Sequence, residues 1–328
     1  MKLTALIHGY PPDWAMGGET STHRTLRVIP GSTVYAQSAS EPYELDNVTV
    51  RPLQDPVEVM DVYDLLQGNL DVMFAHSALS EVAVRGARKL RKPSILSVHA
   101  PRRFAPDLVR AARGATVRLY NTDAAKKDWR DPSGWVLHPP AVQLDVVAGP
   151  RDAYTLASSL ANKGVKQTLG LAALLPDKRF IIVRSPAEAT HGYRGFEKKA
   201  AALPNVEVWD RLEPHEMGKL WSQTRIVLVP SNYETYGLVA VEAAWWGIPS
   251  VHVNTPHVLE GIGNAARLLT GTTTEDVGMA IMDIEADYQM WANRAEDRAI
   301  ILADREKLEL ERFAEGVSQL TPDSVKRI

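Results

Sequence analysis

Short runs of β-branched and aliphatic residues alternate with helical patterns along nearly all of this 328-residue chain, and that rhythm leaves few folds open. Strand, helix and strand in succession build βαβ units, whose parallel sheets are buried on both faces and so read as near-continuous apolar runs. In the first half the expected strands are Leu3 to Ile7, Thr33 to Ala36, Val72 to Ala75, Ser94 to Val98, Val117 to Tyr120 and Trp135 to Leu137. In the second half they are Tyr154 to Ala157, Phe180 to Val183, Val206 to Val208, Ile226 to Val229 and Ser250 to Val253. After Thr272 the pattern turns purely helical, through Met279, Ile281, Ile284, Tyr288 and Trp291 to Phe313.

A chain of this length exceeds what one hydrophobic core usually serves, so two α/β domains are expected. The turn-rich segment Ala148-Gly149-Pro150-Arg151-Asp152 suits the linker between them. The expected division is 1–148, 149–305 and a C-terminal helix over 306–328 that braces the first domain. Doubly wound domains bind ligands beyond the carboxyl ends of their strands, so chemistry is sought there.

The absence of cysteine excludes disulfides, thiolate metal sites and a cysteine nucleophile. The opening apolar run ends at His8, Pro11 and Pro12, too soon for a signal peptide, and no stretch reaches the roughly 18 apolar residues of a membrane span. A cytoplasmic protein is expected. No Asp-x-Asp follows an expected strand and no histidine pair has zinc spacing, so neither a metal nor another cofactor is expected. The absence of a Gly-x-Gly-x-x-Gly at a strand-to-helix turn argues against a dinucleotide dehydrogenase. A net charge of −3 gives nucleic acid no support as a partner. Locally, ten basic residues crowd the segment from Arg85 to Arg118, Arg102 and Arg103 among them, with Asp107 opposing them. Two readings stand: a solvated face on two helices, or a basic acceptor groove.

The segment from Val227 to Val251 is the most informative. It reads as a strand, a tight loop through Pro230, Ser231 and Asn232, a helix from about Tyr236 to Trp246, a stop at Gly247 and another strand. Glu234 sits just before that helix, whose free N–H groups favour phosphate, and Gly237 would let a ligand approach the backbone. Glu242 lies in an otherwise apolar helical run, where a buried carboxylate needs a hydrogen-bonding partner such as a ligand hydroxyl. Taken singly, Glu234 reads better as a helix cap and Glu242 as a solvent-facing residue; taken with the Pro-Ser loop, Gly237 and Gly247-Ile248-Pro249, they do not.

Together these residues resemble the Glu-x7-Glu motif of retaining GT-B glycosyltransferases (the glycosyltransferase family 4-like enzymes of glycosyl transferases group 1), whose pattern Pro-Ser-x-x-Glu-x-x-Gly-x-x-x-x-Glu-Ala is filled by Pro230, Ser231, Glu234, Gly237, Glu242 and Ala243. The resemblance implies two Rossmann-like domains facing a central cleft, a nucleotide-diphosphate sugar as co-substrate, and transfer to an acceptor hydroxyl. It also implies that Glu234 contacts the donor sugar and Glu242 the ribose, with Thr235 and the backbone near Tyr236, Gly237 and Leu238 at the donor. Gly17 and Gly18 resemble the family's glycine loop beside the donor phosphates. His76 and His99 resemble histidines ending two strands on the acceptor side, where Arg102 and Arg103 would also lie, with His99 near the reacting sugar. Asn162-Lys163-Gly164 resembles the Lys-Gly whose lysine neutralises the leaving diphosphate. One departure stands out: where the family has a second phosphate-binding Arg, this chain has Leu156-Ala-Ser-Ser-Leu160, and Arg184 or Arg194 would have to substitute. Two other readings remain open, a nucleotide-sugar isomerase or epimerase on the same fold, and a non-catalytic nucleotide-sugar-binding protein. A modified DNA base is one of several acceptors the sequence leaves open.

Overall fold

In the computed structural model, which describes residues 2–14, 16–54, 57–67, 70–141, 144–145 and 147–325, β1 (Leu3–Ile7) has every residue buried because both faces of its sheet are covered. Leu3, Ala5 and Ile7 point to one face, with Val34 and Phe74, against Leu26 of the helix Gly17–Leu26 and Phe313, Val317 and Leu320 near the end of the chain. Leu6 points to the other face, with Met73 and Ala75, against Val62 and Leu66 of one helix and Ala83, Val84 and Ala87 of another. Each fully buried side chain of this size contributes about 1.5–3 kcal/mol through burial.

The sheet continues through β2 (Thr33–Ala36), β3 (Tyr43–Leu45), β4 (Val48–Pro52), β5 (Val72–Ala75), β6 (Ser94–Val98), β7 (Val117–Tyr120) and β8 (Trp135–Val136). Its order is β3-β4-β2-β1-β5-β6-β7-β8. Only β3 and β4 pair antiparallel. That hairpin was not expected from the sequence; its two-residue turn, Asp46-Asn47, takes φ of 45° and 67°, the geometry of a tight hairpin turn. Asp46 is held by His23 Nε2 at 3.1 Å, and His23 Nδ1 meets the Tyr10 hydroxyl at 2.8 Å, which fastens the hairpin to the first helix.

A second sheet is formed by β9 (Ala153–Leu156), β10 (Arg179–Val183), β11 (Val206–Trp209), β12 (Thr224–Val229), β13 (Ser250–His252) and β14 (Ala266–Leu268). Its order is β11-β10-β9-β12-β13-β14, and every pair is parallel. The short β14 was also not expected. The helical tail is two helices rather than one. Thr274–Ala286 opens on a capping box, in which the Thr273 hydroxyl accepts from the Asp276 N–H at 3.1 Å and the Asp276 carboxylate accepts from the Thr273 N–H at 2.9 Å. The chain then breaks at Asp287 before the helix Tyr288–Ser318.

The chain divides into two compact units, Met1–Pro140 with Arg305–Ile328, and Ala141–Asp304. In each sheet the order reverses at one place, between β1 and β5 in the first and between β9 and β12 in the second. Loops leaving adjacent strands diverge to opposite faces at such a switch point and leave a crevice for a ligand.

Candidate functional site

The switch point of the second sheet brings together the loops that follow β9 and β12. Gly164, with φ of 95°, sits so close to Pro230 that a Cβ there would lie 2.4 Å from the proline Cγ. The Asn232 N–H donates to the Asn162 carbonyl at 2.9 Å. These two contacts clasp the loops and place Lys163 Nζ 2.8 Å from Glu234 Oε2. The Lys163 side chain is 31% exposed and that of Glu234 14%, so the ion pair opens to solvent from the lysine side. Burial pushes the Glu234 carboxyl up, but Lys163 and the Thr235 N–H, which donates to Oε1 at 3.1 Å, more than offset it and hold the group below its ordinary value. Thr255 steadies the loop from below, its hydroxyl donating to the Glu234 carbonyl at 3.1 Å.

The helix after this loop is Leu238–Ala244, shorter at both ends than the sequence suggests. Gly237 is the reason at the start: at φ 80°, ψ 45° it is left-handed, so Tyr236 and Gly237 lie outside the helix, and the Ala240 and Val241 N–H groups close back on the Gly237 carbonyl. The N–H groups of Leu238 and Val239, in the first turn, have no partner within the helix. Tyr236 packs into a small cluster with Val241 and Leu302. Glu242 is half-buried on the helix, and Thr235 is half-buried beside Glu234.

His252 was not singled out in the sequence, yet it sits beneath this loop. Fully buried at the end of β13, it has Nδ1 3.1 Å from the Val253 carbonyl, which makes Nδ1 the protonated nitrogen and leaves Nε2 a bare acceptor. Among the described residues Nε2 has no partner. A Cβ on Gly237 would lie 2.3 Å from it. Burial pushes the imidazole down to about 4, with the Glu234 charge opposing and that of Lys163 assisting. The expected strand Ser250 to Val253 runs one residue past it, so it lacked the strand-end position that marked His76 and His99.

Where a second phosphate-binding cation was sought, Ser159 is buried and its hydroxyl accepts from the Ser185 N–H at 3.0 Å, tying the loops after β9 and β10. Arg184 follows β10, but its guanidinium is bound by Glu197 at 2.5 Å, Glu188 at 3.3 Å and Asp210 at 3.5 Å. Its charge is already matched there, and the structure does not add it to the Lys163–Glu234 pair.

In the first unit the switch point lies between β1 and β5. Gly17 and Gly18 are not a loop: they open the helix Gly17–Leu26, in the first turn, where N–H groups have no intrahelical partner. Gly18 lies over His76, its Cβ position 3.6 Å from the ring's Cε1 and Nε2. His76 after β5 and His99 after β6 stack with ring centroids 4.8 Å apart and planes 23° from parallel. Burial pushes both imidazoles down, His76 well below its ordinary value with His99 adding to the effect, and neither Nδ1 has a partner among the described residues. The pair is therefore neutral at physiological pH and offers hydrogen-bonding groups without charge. Arg102 and Arg103 lie exposed in the turn Arg102–Phe104, where the Arg102 N–H donates to Asp128 at 2.8 Å. Among the described residues no group of three or more histidines or carboxylates could hold a metal ion, and no helix is long and apolar enough to cross a membrane.

Residues 146–298 match the family model described as Glycosyl transferases group 1. The fold is GT-B. HepE of Anabaena in complex with UDP-glucose superposes with a TM-score of 0.80 at 17% identity, over 98% of this chain and 100% of that one. Sucrose-phosphate synthase of Thermosynechococcus elongatus gives 0.68 at 15%, over 97% and 98%. A putative UDP-N-acetylglucosamine 2-epimerase of Listeria monocytogenes gives 0.63 at 14%, over 97% and 95%. No curated protein matches the sequence. The chain thus has the two-domain α/β fold of GT-B proteins, and its residues 146–298 are similar to glycosyl transferases group 1.

Proposed function

We propose that this protein transfers a sugar from a nucleotide-diphosphate sugar to an acceptor hydroxyl with net retention at the anomeric carbon, without a metal ion. The observation that carries this reading is the Lys163–Glu234 pair at the switch point of the second sheet. The bond from the anomeric carbon to the diphosphate oxygen breaks, and its electron pair leaves with the diphosphate. Lys163, at the more open side of the pair, supplies a cation to that developing charge. The acceptor oxygen bonds to the anomeric carbon on the face the diphosphate leaves, and the acceptor proton passes to the departing phosphate oxygen. Glu234 holds the sugar hydroxyls, Glu242 the ribose, and the N–H groups of the first turn after Gly237 meet the donor phosphates. His99 and His76 serve the acceptor side as neutral hydrogen-bonding groups. UDP-glucose is the first donor to test, because the similar HepE structure holds it.

Glu234→Gln keeps the shape and loses the charge, so it lowers turnover chiefly. Glu242→Ala loses a ribose hydrogen bond and weakens nucleotide binding by about 1–3 kcal/mol. Mass spectrometry of donor hydrolysis, with melts to establish folding, separates the two effects. The motif assignment fails if neither variant changes hydrolysis in a folded protein. A second reading, isomerisation or epimerisation of the donor, is favoured by the likeness to the Listeria epimerase. It requires a rearranged sugar nucleotide to accumulate with no acceptor present.

A further inference from the structure

The first unit carries an open groove lined by Arg102, Arg103, Arg110, Arg113 and Arg130, with Asp128 as the acid of the lining. It runs along the helix Pro106–Gly114, from the turn before it to the end of the helix Asp123–Asp128. Folding has selected four of these from the basic segment and added Arg130 from beyond it. Of that segment, Arg118 is withdrawn into a bidentate pair with Asp131. Arg110 is partly neutralised by Glu81 at 2.8 Å and Asp107 at 2.7 Å. Arg102, Arg113 and Arg130 are exposed, and among the described residues none of them is in an ion pair. Three exposed guanidiniums, those of Arg102, Arg113 and Arg130, thus lie together in one lining on a protein whose net charge is −3. The positive charge is concentrated rather than spread.

Its length and chemistry narrow the occupant. From Arg103 to Arg113 the chain advances by ten residues, mostly helical, so the charge extends over about 15 Å. A single phosphate would use one point of it, whereas a duplex strand, with a phosphate about every 3.4 Å along its axis, would use all of it. Among the described residues the lining holds no aromatic side chain, so it lacks the stacking platform on which single strands are bound. Arginine forks meet phosphate oxygens in a bidentate manner. Recognition of duplex RNA leans on contacts to the 2′-hydroxyl, and among the described residues the lining holds no hydroxyl or amide side chain for them.

We propose that this groove binds the phosphate backbone of duplex DNA, so that the acceptor hydroxyl is one carried on a modified, hydroxylated DNA base. The binding stands on the groove alone; the word acceptor rests on the sugar-transfer reading above.

The test is fluorescence anisotropy of the full-length protein with a labelled short DNA duplex, titrated between about 50 and 200 mM salt. Each guanidinium that neutralises a phosphate contributes about 0.9 to the slope of log K against log salt. Arg113→Ala with Arg130→Ala should therefore lower the slope by about 1.8, and affinity near 0.1 M salt by roughly 50-fold. Arg312→Ala, an exposed arginine on the last helix, should leave the slope unchanged. Melts of the variants establish that they fold. The proposal is overturned by no saturable binding at about 50 mM salt, by a slope that the double substitution leaves unaltered, or by tighter binding to single-stranded DNA, duplex RNA or anionic vesicles. Donor hydrolysis by the wild type, measured without DNA, tests the sugar-transfer reading separately. A protein that binds duplex DNA through the groove yet turns over no donor keeps the groove and loses the reaction.

Discussion

Gly237→Ala should damage the donor loop in two separable ways. At φ 80° any side chain strains the backbone, which costs about 1–2 kcal/mol. The new methyl would also lie 2.3 Å from Nε2 of the fully buried His252, and overpacking of that kind costs about 1–3 kcal/mol. The sum, about 2–5 kcal/mol, corresponds to a melting temperature lowered by about 4–20 °C for a unit of this size. Glu234 lies three residues before the strained position, so donor binding should weaken in the same variant. The assay is a double-substitution cycle with His252→Ala, read by thermal melts and by calorimetry with UDP. Because His252→Ala removes the clash and not the strain, Gly237→Ala should cost less in that background, with a coupling of about 1–3 kcal/mol. Additivity within about 0.5 kcal/mol would refute the contact. A Gly237→Ala protein that melts like the wild type would refute the strain as well.

Lys163→Met leaves Glu234 largely buried without its cation; stability should fall by about 1–3 kcal/mol, reduced from the fully buried case because Lys163 is partly exposed, and donor hydrolysis should fall about 10²- to 10³-fold. Unchanged melts and turnover would remove the lysine from the site. His252 predicts a slope in stability against pH. Its folded pKa, about 4, lies below the unfolded value of about 6.5, so the unfolded chain takes up the proton first. Stability is therefore lost as pH falls from about 6.5 to about 4, by up to about 3 kcal/mol. His23, His76 and His99 act in the same direction and remain in His252→Asn, so the prediction concerns the difference: a flatter dependence in that window, and no difference would show that folding does not hinder protonation of His252.

The donor loop was legible in the sequence because its parts are contiguous: Pro230, Ser231, Glu234, Gly237 and Glu242 are fixed relative to one another by one strand, one turn and one helix. Lys163 lies far from them in the chain, and what joins them is a topological fact, the reversal of strand order between β9 and β12, together with the fit of Gly164 against Pro230. Only the family resemblance could supply it beforehand. The hairpin β3–β4 escaped because its alternating strands are short and its turn is Asp-Asn rather than Asn-Gly, although both turn residues tolerate positive φ. The short β14 lies in Ala-Arg-Leu-Leu, which has no strand bias of its own and pairs because β13 offers it an edge. His252 was hidden inside an apolar run, where nothing local separates a packed histidine from one facing a ligand loop. Arg184 shows the reverse limit: a free cation on paper, it meets Glu188 and Glu197 only once β10 and the helices after it are folded.

The first unit is assembled from two stretches of chain, whereas the second is a single stretch. Phe313, Val317 and Leu320 complete the face formed by Leu3, Ala5 and Ile7, so that face cannot close on the ribosome while residues 141–304 are still emerging. The sheet that is synthesised second is the one able to finish folding first. Until residues 305–325 arrive, the sheet made earliest must wait with part of one apolar side uncovered, which makes the nascent chain, rather than the folded protein, the form more exposed to aggregation.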